Sequence, residues 1–431
     1  MVCFWACFAS EPTNSCDKAH SDVLEMGLRK KRIAVLGGGL QGACVALELA
    51  GHEAQVDLYE RNNRCLSETS ANNEGKVHLG YVYAYDKSFK TARMMIDGAL
   101  CFERLMRRWI GDSIDNLPTS SPFQYLVHRN GLMTTEAFEV HALRTTASIA
   151  EKFNQNVSPY FGRDLRRPLR RLKDFDVSTS PRTNPIIGAF ETEEIGIDPE
   201  ALSLLVGQRL GEVANINCLS GRTVSTVRDD GKSLLVESTD HDQTTIERYD
   251  FVVNTLGSDR LRIDAQMGIQ AKRAWAFRLK YFLRVNSVTK SNVNSATMVL
   301  GPFGDIVNYG NGSLYLSWYP AGMTEWSSAL FPPDRPLRLE GDPATAMVQD
   351  ILRGLAGVVP EIGNIELRNT HVNGGWIFSF GQTDIDDPTS EFHERFDVGV
   401  RSYGRYLTID TGKLTLAPMF AERAVDMLKE H

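Results

Sequence analysis

The sequence predicts an α/β chain, α+β overall, in which a Rossmann-like dinucleotide-binding unit is interleaved with an antiparallel-sheet unit. Three observations carry that prediction. A short apolar run, Arg32-Ile33-Ala34-Val35-Leu36, leads into glycines at 37, 38, 39 and 42 and then an apolar helical stretch ending at Gly51. A second strand, Gln55 to Glu60, ends in an acid 18 residues beyond Gly42. Farther on, alternating segments at 275–285, 296–309 and 313–319 read as antiparallel sheet.

In chain order, a polar segment from Arg61 to Gly75 follows the second strand and precedes KVHLGYVYAY. Ser88 is expected to cap a long amphipathic helix ending near Ile110. Residues 111–190 show a mixed pattern. Asp198 and Pro199 head a helix over 198–214, and short strands follow it around a DDGK turn: INCL, RTVSTVR, SLLVEST and TIERYDFVVNTLG. A helix near 343–357 separates the antiparallel segments from HVNGGWIFSF, an acidic loop at 383–395 and a final strand–helix section.

Composition bounds the function. The 431 residues, 42% hydrophobic and 23% charged, suffice for two or three units with a full core. A net charge of -7 disfavours nucleic acid or an anionic membrane as partner. The basic run from Arg163 to Lys173 reads as a solvated face or connector. None of the seven cysteines forms a C-x-x-C pair, so no metal site is expected and a reducing compartment fits. The opening MVCFWACFAS lacks the basic region of a signal peptide, and no run approaches the ~18 apolar residues of a membrane span. The expectation is a cytoplasmic protein without a membrane span, with a loose extension over residues 1–31.

The glycine turn has a physical reading. Gly37 allows the tight turn, Gly39 lets backbone approach a pyrophosphate, and Gly42 lets helix and strand pack closely. Leu40 and Gln41 open the helix whose free N–H groups face the phosphates. Glu60 accepts the hydroxyls of a ribose without a 2′-phosphate. A tight turn with no ligand is the competing reading. The turn alone leaves NAD and FAD open, but the βα pattern breaks after Glu60, where a nicotinamide enzyme normally continues it.

The block Ser70-Ala71-Asn72-Asn73-Glu74-Gly75-Lys76-Val77-His78-Leu79-Gly80 resembles S-x-x-N-S-G-x-x-H-x-G of the L-2-hydroxyglutarate dehydrogenase branch. That branch belongs to the FAD-dependent D-amino-acid oxidase and glycerol-3-phosphate dehydrogenase superfamily. The strand YDFVVNTLG, ending at Gly257, and the turn Gly412-Lys413-Leu414-Thr415 are also similar to superfamily signatures. The resemblance implies FAD, held by Gly37, Gly39, Leu40, Gln41, Gly42, Glu60, Arg61, Ser70, Asn72, Val224, Gly257, Gly412, Lys413, Leu414 and Thr415. It implies an FAD-binding domain in three parts, 32–110, 195–270 and 375–431, with a substrate domain at 111–194 and 271–374. The chain departs from the branch at Glu74, normally a small residue, in GKLTLAP, and in the acidic loop 383–395.

The same resemblance sets the 67–80 loop against the flavin, with His78 and Lys76 as candidate catalytic residues. His78 suits a base that takes the O–H or N–H proton as hydride leaves. It also suits a covalent FAD anchor, as in some relatives, or a structural histidine. Lys76 suits a partner for reduced flavin or a substrate carboxylate, or a solvated lysine. Arg278 and Arg284 share a strand face by period-2 counting, and Arg278 suits a carboxylate clamp. Tyr309, Tyr315 and Tyr319 suit the pocket wall. The function expected is oxidation of a small CH–OH or CH–NH substrate, with or without a carboxylate, by hydride transfer to FAD. The electron acceptor stays open. Two alternatives stand beside it: an oxygen-using amine or amino-acid oxidase, and a flavin-binding redox sensor without turnover.

Overall fold

The computed structural model of the protein describes residues 27–155, 159–173, 185–240, 243–286, 291–365 and 367–431. Residues 1–26 of the expected extension lie outside the described residues. Its last five residues are part of the fold: Leu28 is buried in the main core, and Lys31 accepts a backbone hydrogen bond from Gln55 at 2.8 Å. One apolar side chain with a place in the core is enough to tie the segment down.

The strand Arg32–Leu36 lies in the middle of a six-stranded sheet ordered 399–403, 406–410, 251–254, 32–36, 55–60 and 216–220. All pairs are parallel except the edge hairpin between 399–403 and 406–410. Alternation explains the apolar run from Ile33 to Leu36. Ile33 and Val35 face helices Leu40–Gly51, Lys90–Ile110 and Ala417–Lys429, while Ala34 and Leu36 face the meander of 222–249. A strand covered on both sides cannot carry a polar face. Each of Val35 and Leu36 contributes about 2 kcal/mol by burial.

The meander expected after residue 215 divides between sheets. Residues 216–220 and 251–254 join the parallel sheet, and 222–229, 234–240 and 243–249 form a separate antiparallel layer. The other large sheet has ten strands around Trp275–Asn286, which pairs with Thr370–Phe380, Ser313–Trp318 and Met323–Ser327. It contains one parallel pair, 296–299 beside 124–128. On the central strand Leu279, Tyr281, Leu283 and Val285 pack beneath helix Gly341–Ala356 through Ile351 and Leu355. Positions 278, 280, 282 and 284 therefore face the other way, toward the first unit.

Local capping followed the expected chemistry at Asp198 and shifted by one residue at Ser88. Asp198 caps helix Pro199–Glu212, accepting from the Glu200 N–H at 3.0 Å. Ser88 does not begin its helix. Phe89 is the N-cap residue, with φ 62°, and Asp86 accepts the Thr91 N–H at 2.8 Å. The Ser88 hydroxyl still accepts the first N–H of the helix, from Lys90 at 3.2 Å, so hydroxyl and carboxylate share the capping. The basic run 163–173 is a solvated, ion-paired face: Arg163 meets Glu193, Arg166 meets Asp164 and Arg170 meets Glu191. No helix among the described residues is long and apolar enough to cross a membrane.

Candidate active site

The first glycine turn opens one end of a cleft of about 340 Å³. Gly37 has φ 97°, and a Cβ there would stand 2.8 Å from the Thr255 carbonyl oxygen. A Cβ on Gly42 would lie 1.9 Å from the Gly37 carbonyl oxygen, so Gly42 serves helix–strand contact and does not line the cleft. Gly39 differs: a Cβ there meets only Ser70 Oγ, at 3.3 Å, and its open side faces the cleft. Gly39 caps helix Leu40–Gly51 without a side-chain hydrogen bond, leaving first-turn N–H groups for an anion. Ser70 Oγ accepts from the Leu40 N–H at 2.8 Å.

Glu60, Arg61 and Val224 line the same cleft at its outer end. Glu60 accepts from the Gly38 N–H at 3.1 Å and the Asn62 N–H at 2.8 Å. Burial pushes its carboxyl above the usual range, against the opposing pull of those two donors. Arg61 is paired with Glu68 at 2.8 Å. Gly257, Gly412, Lys413 and Leu414 complete the lining with Trp376 and Ile377. Gln41 joins the two ends of the chain, donating to the Ala417 carbonyl at 3.0 Å and accepting from Thr411 at 3.1 Å. Thr415 lies behind the wall, accepting from the His78 N–H at 2.8 Å. Asn72 also stands off the cleft, holding the Glu68 carbonyl at 2.9 Å.

A second cavity of about 150 Å³ adjoins this cleft, and the walls they share include Glu74, Lys76, His78, Trp376, Ile377 and Lys413. The short pairing of Lys76–Val77 with Ile195–Gly196 sets His78 beside Glu194. His78 is buried, its Nδ1 3.7 Å from Glu194 and its Nε2 3.7 Å from Glu74, and neither ring nitrogen has a hydrogen-bond partner. A buried imidazole with two idle nitrogens is uncommon unless a ligand serves them. Burial alone raises Glu74, but Lys413, His78 and Lys280 outweigh it and hold the carboxyl well below the usual range. Glu194 is lowered in the same way: burial opposes, and His78, Lys76 and Tyr125 prevail.

The other candidates divide. Lys76 borders the cavity with its charge already paired, Nζ lying 2.5 Å from Thr297 Oγ1 and 3.0 Å from Asp305. Tyr315 and Tyr319 line the pocket, whereas Tyr309 lies outside it and donates to the Glu74 carbonyl at 3.1 Å. Burial raises Tyr319, but Lys280, Arg278 and Lys413 together bring its hydroxyl below the ordinary range. Arg278 and Arg284 border neither cavity. Arg278 is stacked 4.2 Å over Phe392 and bonded to Asp384 at 3.2 Å, and burial lowers it to about 10. Arg284 pairs with Asp198 at 2.6 Å. The cation that reaches the pocket from that strand is Lys280, between the two arginines on the same face. Period-2 counting through 278 and 284 passes over 280 and contained the signal. Glu194, inside the run ETEE, carries none. The acidic loop supplies Ile385, Phe392, His393 and Arg395 to the pocket wall.

A glycine-lined cleft on a parallel sheet, backed by an antiparallel sheet that carries a polar pocket, defines a dinucleotide-dependent redox protein. The family model described as DAO, FAD dependent oxidoreductase, matches residues 32–395, and the chain belongs to that family. It is an FAD-dependent oxidoreductase. Similar solved structures include glycine oxidase from Geobacillus kaustophilus, at 16% identity and TM-score 0.64, covering 93% of this chain and 95% of that one. L-alpha-glycerophosphate oxidase from Mycoplasma pneumoniae, with FAD bound, shares 17% identity over 93% and 95% of the chains at TM-score 0.61. L-proline dehydrogenase from P. horikoshii shares 15% over 93% of each, at TM-score 0.60. At these identities the likeness is one of fold. No curated protein matches the sequence.

The residues present fit FAD. The open Gly39 backbone suits the pyrophosphate, Glu60 and Val224 the adenosine, and the 412–414 turn with Trp376 and Ile377 the ring.

Proposed function

We propose that the enzyme oxidises a small CH–OH or CH–NH substrate carrying a carboxylate, with the 150 Å³ pocket as its substrate site. One observation carries this reading: pocket and cofactor cleft share a wall built around His78. When bound, FAD supplies the two-electron acceptor for the substrate's hydride. Gly39, Ser70 and the start of helix Leu40–Gly51 would hold its phosphates. Lys413, shared with Glu74, and the N-terminal end of the last helix would supply positive charge to the ring.

The chain's own residues do the remaining work. His78 is the proton acceptor, at whichever ring nitrogen faces the substrate, and Glu194 and Glu74 provide countercharge to the imidazolium. Thr415 fixes the His78 backbone, and Lys280 with Tyr319 binds the carboxylate. Aromatic walls at Tyr83, Phe282 and Phe392 exclude water. The 70–80 block's resemblance to the L-2-hydroxyglutarate dehydrogenase branch supports the carboxylate. Lys76 belongs to the framework through Asp305, and the wide spacing of the cysteines supports a cytoplasmic setting.

Anaerobic bleaching of the flavin by a panel of 2-hydroxy acids, amino acids and amines tests the reading. Bleaching by a carboxylate-bearing member supports it. A flavin that no member reduces removes it.

A further inference from the structure

Two charged groups in the pocket are only partly engaged. Glu74 Oε1 receives Lys413 Nζ at 3.3 Å and stands 3.7 Å from His78 Nε2. Lys280 is buried 4.2 Å over the Tyr319 ring and 5.7 Å from that of Tyr315. Among the described residues no carboxylate comes within 4.0 Å of its ammonium. Asp305, by contrast, is taken by Lys76 at 3.0 Å. The pocket thus offers an anion and a cation, each with an open side.

We propose that Glu74 is the specificity-determining residue of this pocket, selecting substrates whose oxidised carbon bears a cationic nitrogen while their carboxylate rests on Lys280, Tyr315 and Tyr319. The proposal rests on the reading of this cavity as the substrate site. Lys413 and His78 already hold the Glu74 carboxylate charged in a largely buried wall through Oε1; its second oxygen makes no hydrogen bond among the described residues, so a substrate ammonium can engage it where an alcohol brings only a dipole. A 2-hydroxy acid brings the same carboxylate to Lys280 but no positive charge to offset it beside Glu74, which disfavours it. The electron flow points the same way. The ammonium first loses one proton to His78. Its C–H bond then breaks, the electron pair leaving with hydrogen as hydride to the FAD acceptor, and the C=N product carries positive charge beside Glu74. Oxidation of an alcohol, after the same proton loss, leaves a neutral carbonyl that gains nothing from that carboxylate. Glu74 is therefore aimed at a charge that exists in the ground state and returns as hydride departs.

The test uses holoenzyme and matched pairs of 2-amino, N-methyl-2-amino and 2-hydroxy acids in both enantiomers. Anaerobic flavin bleaching reads turnover. Calorimetric Kd values for 2-aminoisobutyrate and 2-hydroxyisobutyrate, which lack the hydrogen to be removed, read binding without chemistry. The amino members are expected to lead by about 10-fold or more in kcat/KM and in Kd, the size of one charge-assisted contact. Glu74→Gln is expected to abolish that lead mainly through KM, and Glu74→Asp to retain most of it. If Glu74→Gln loses FAD, the wild-type Kd ratio and Glu74→Asp decide. A wild type that binds and oxidises the hydroxy members equally well or better overturns the role of Glu74 and leaves the substrate site standing. A flavin bleached by neither class overturns both.

Discussion

Alanine at Gly39 and alanine at Gly42 separate holding the cofactor from holding the fold. At position 42 a Cβ would stand 1.9 Å from the Gly37 carbonyl oxygen and 2.7 Å from Thr255 Oγ1. Strand and helix must part by roughly 1 Å, with backbone on the struck side, so the cost is about 3 kcal/mol. At roughly 2 °C per kcal/mol for a chain this size, the FAD-free protein loses about 6 °C of Tm. At position 39, φ is -72°, which alanine adopts freely, and the new methyl meets only Ser70 Oγ at 3.3 Å. Its effect on the FAD-free protein is therefore within about 0.5 kcal/mol. The methyl instead occupies the approach of a phosphate. Losing one charge-assisted hydrogen bond of about 1.5–3 kcal/mol weakens FAD binding roughly 10- to 100-fold. Thermal melts without FAD, together with titration of flavin fluorescence, read both quantities. Gly39→Ala binding FAD as tightly as wild type, or melting as low as Gly42→Ala, refutes the division of roles.

His78→Asn is expected to lower the rate of flavin reduction about 100- to 10,000-fold with FAD content unchanged, and stopped-flow bleaching at full normal rate removes the base assignment. Lys280→Met should raise KM for a carboxylate substrate roughly 30-fold, the size of a ~2 kcal/mol charge-assisted contact, while the uncharged amide of that substrate shows no change. Glu194→Gln should destabilise the protein by about 3–5 kcal/mol, since it leaves His78, Lys76 and Tyr125 facing a neutral group, and denaturant melts measure this. Glu194 and Glu74 also set an acid limit. Their folded-state values lie below those of the unfolded chain, so their stabilisation is complete above the unfolded carboxylate value of about 4.3 and is lost as pH falls toward the depressed folded values. Melts from pH 6 down to 3 should fall less steeply in Glu194→Gln than in wild type; parallel curves contradict this.

The cofactor unit was legible because its signals are local. Strand, glycine turn, helix and acid lie within residues 32–60, and each glycine answers a contact made by its near neighbours or by one facing strand. Hydrophobic period also marked the long antiparallel strand 275–286 and placed its even positions on one face. What period could not give was depth along that face. Arg278 and Arg284 share the parity of Lys280, yet Asp384 and Asp198 hold them, and both partners come from distant segments.

The sequence by itself thus determined the dinucleotide turn and the class of cofactor, and it singled out the loop that lines both cavities. Tertiary structure alone decided which charges are spent and which stay open. Lys76 is neutralised by Asp305, 229 residues away, while His78 gains Glu194 from across a two-residue pairing. An ion pair between segments far apart in the chain leaves no periodicity or spacing to read. Burial then decides its consequence, because only in a dry wall does a partly engaged ammonium or carboxylate select what binds against it.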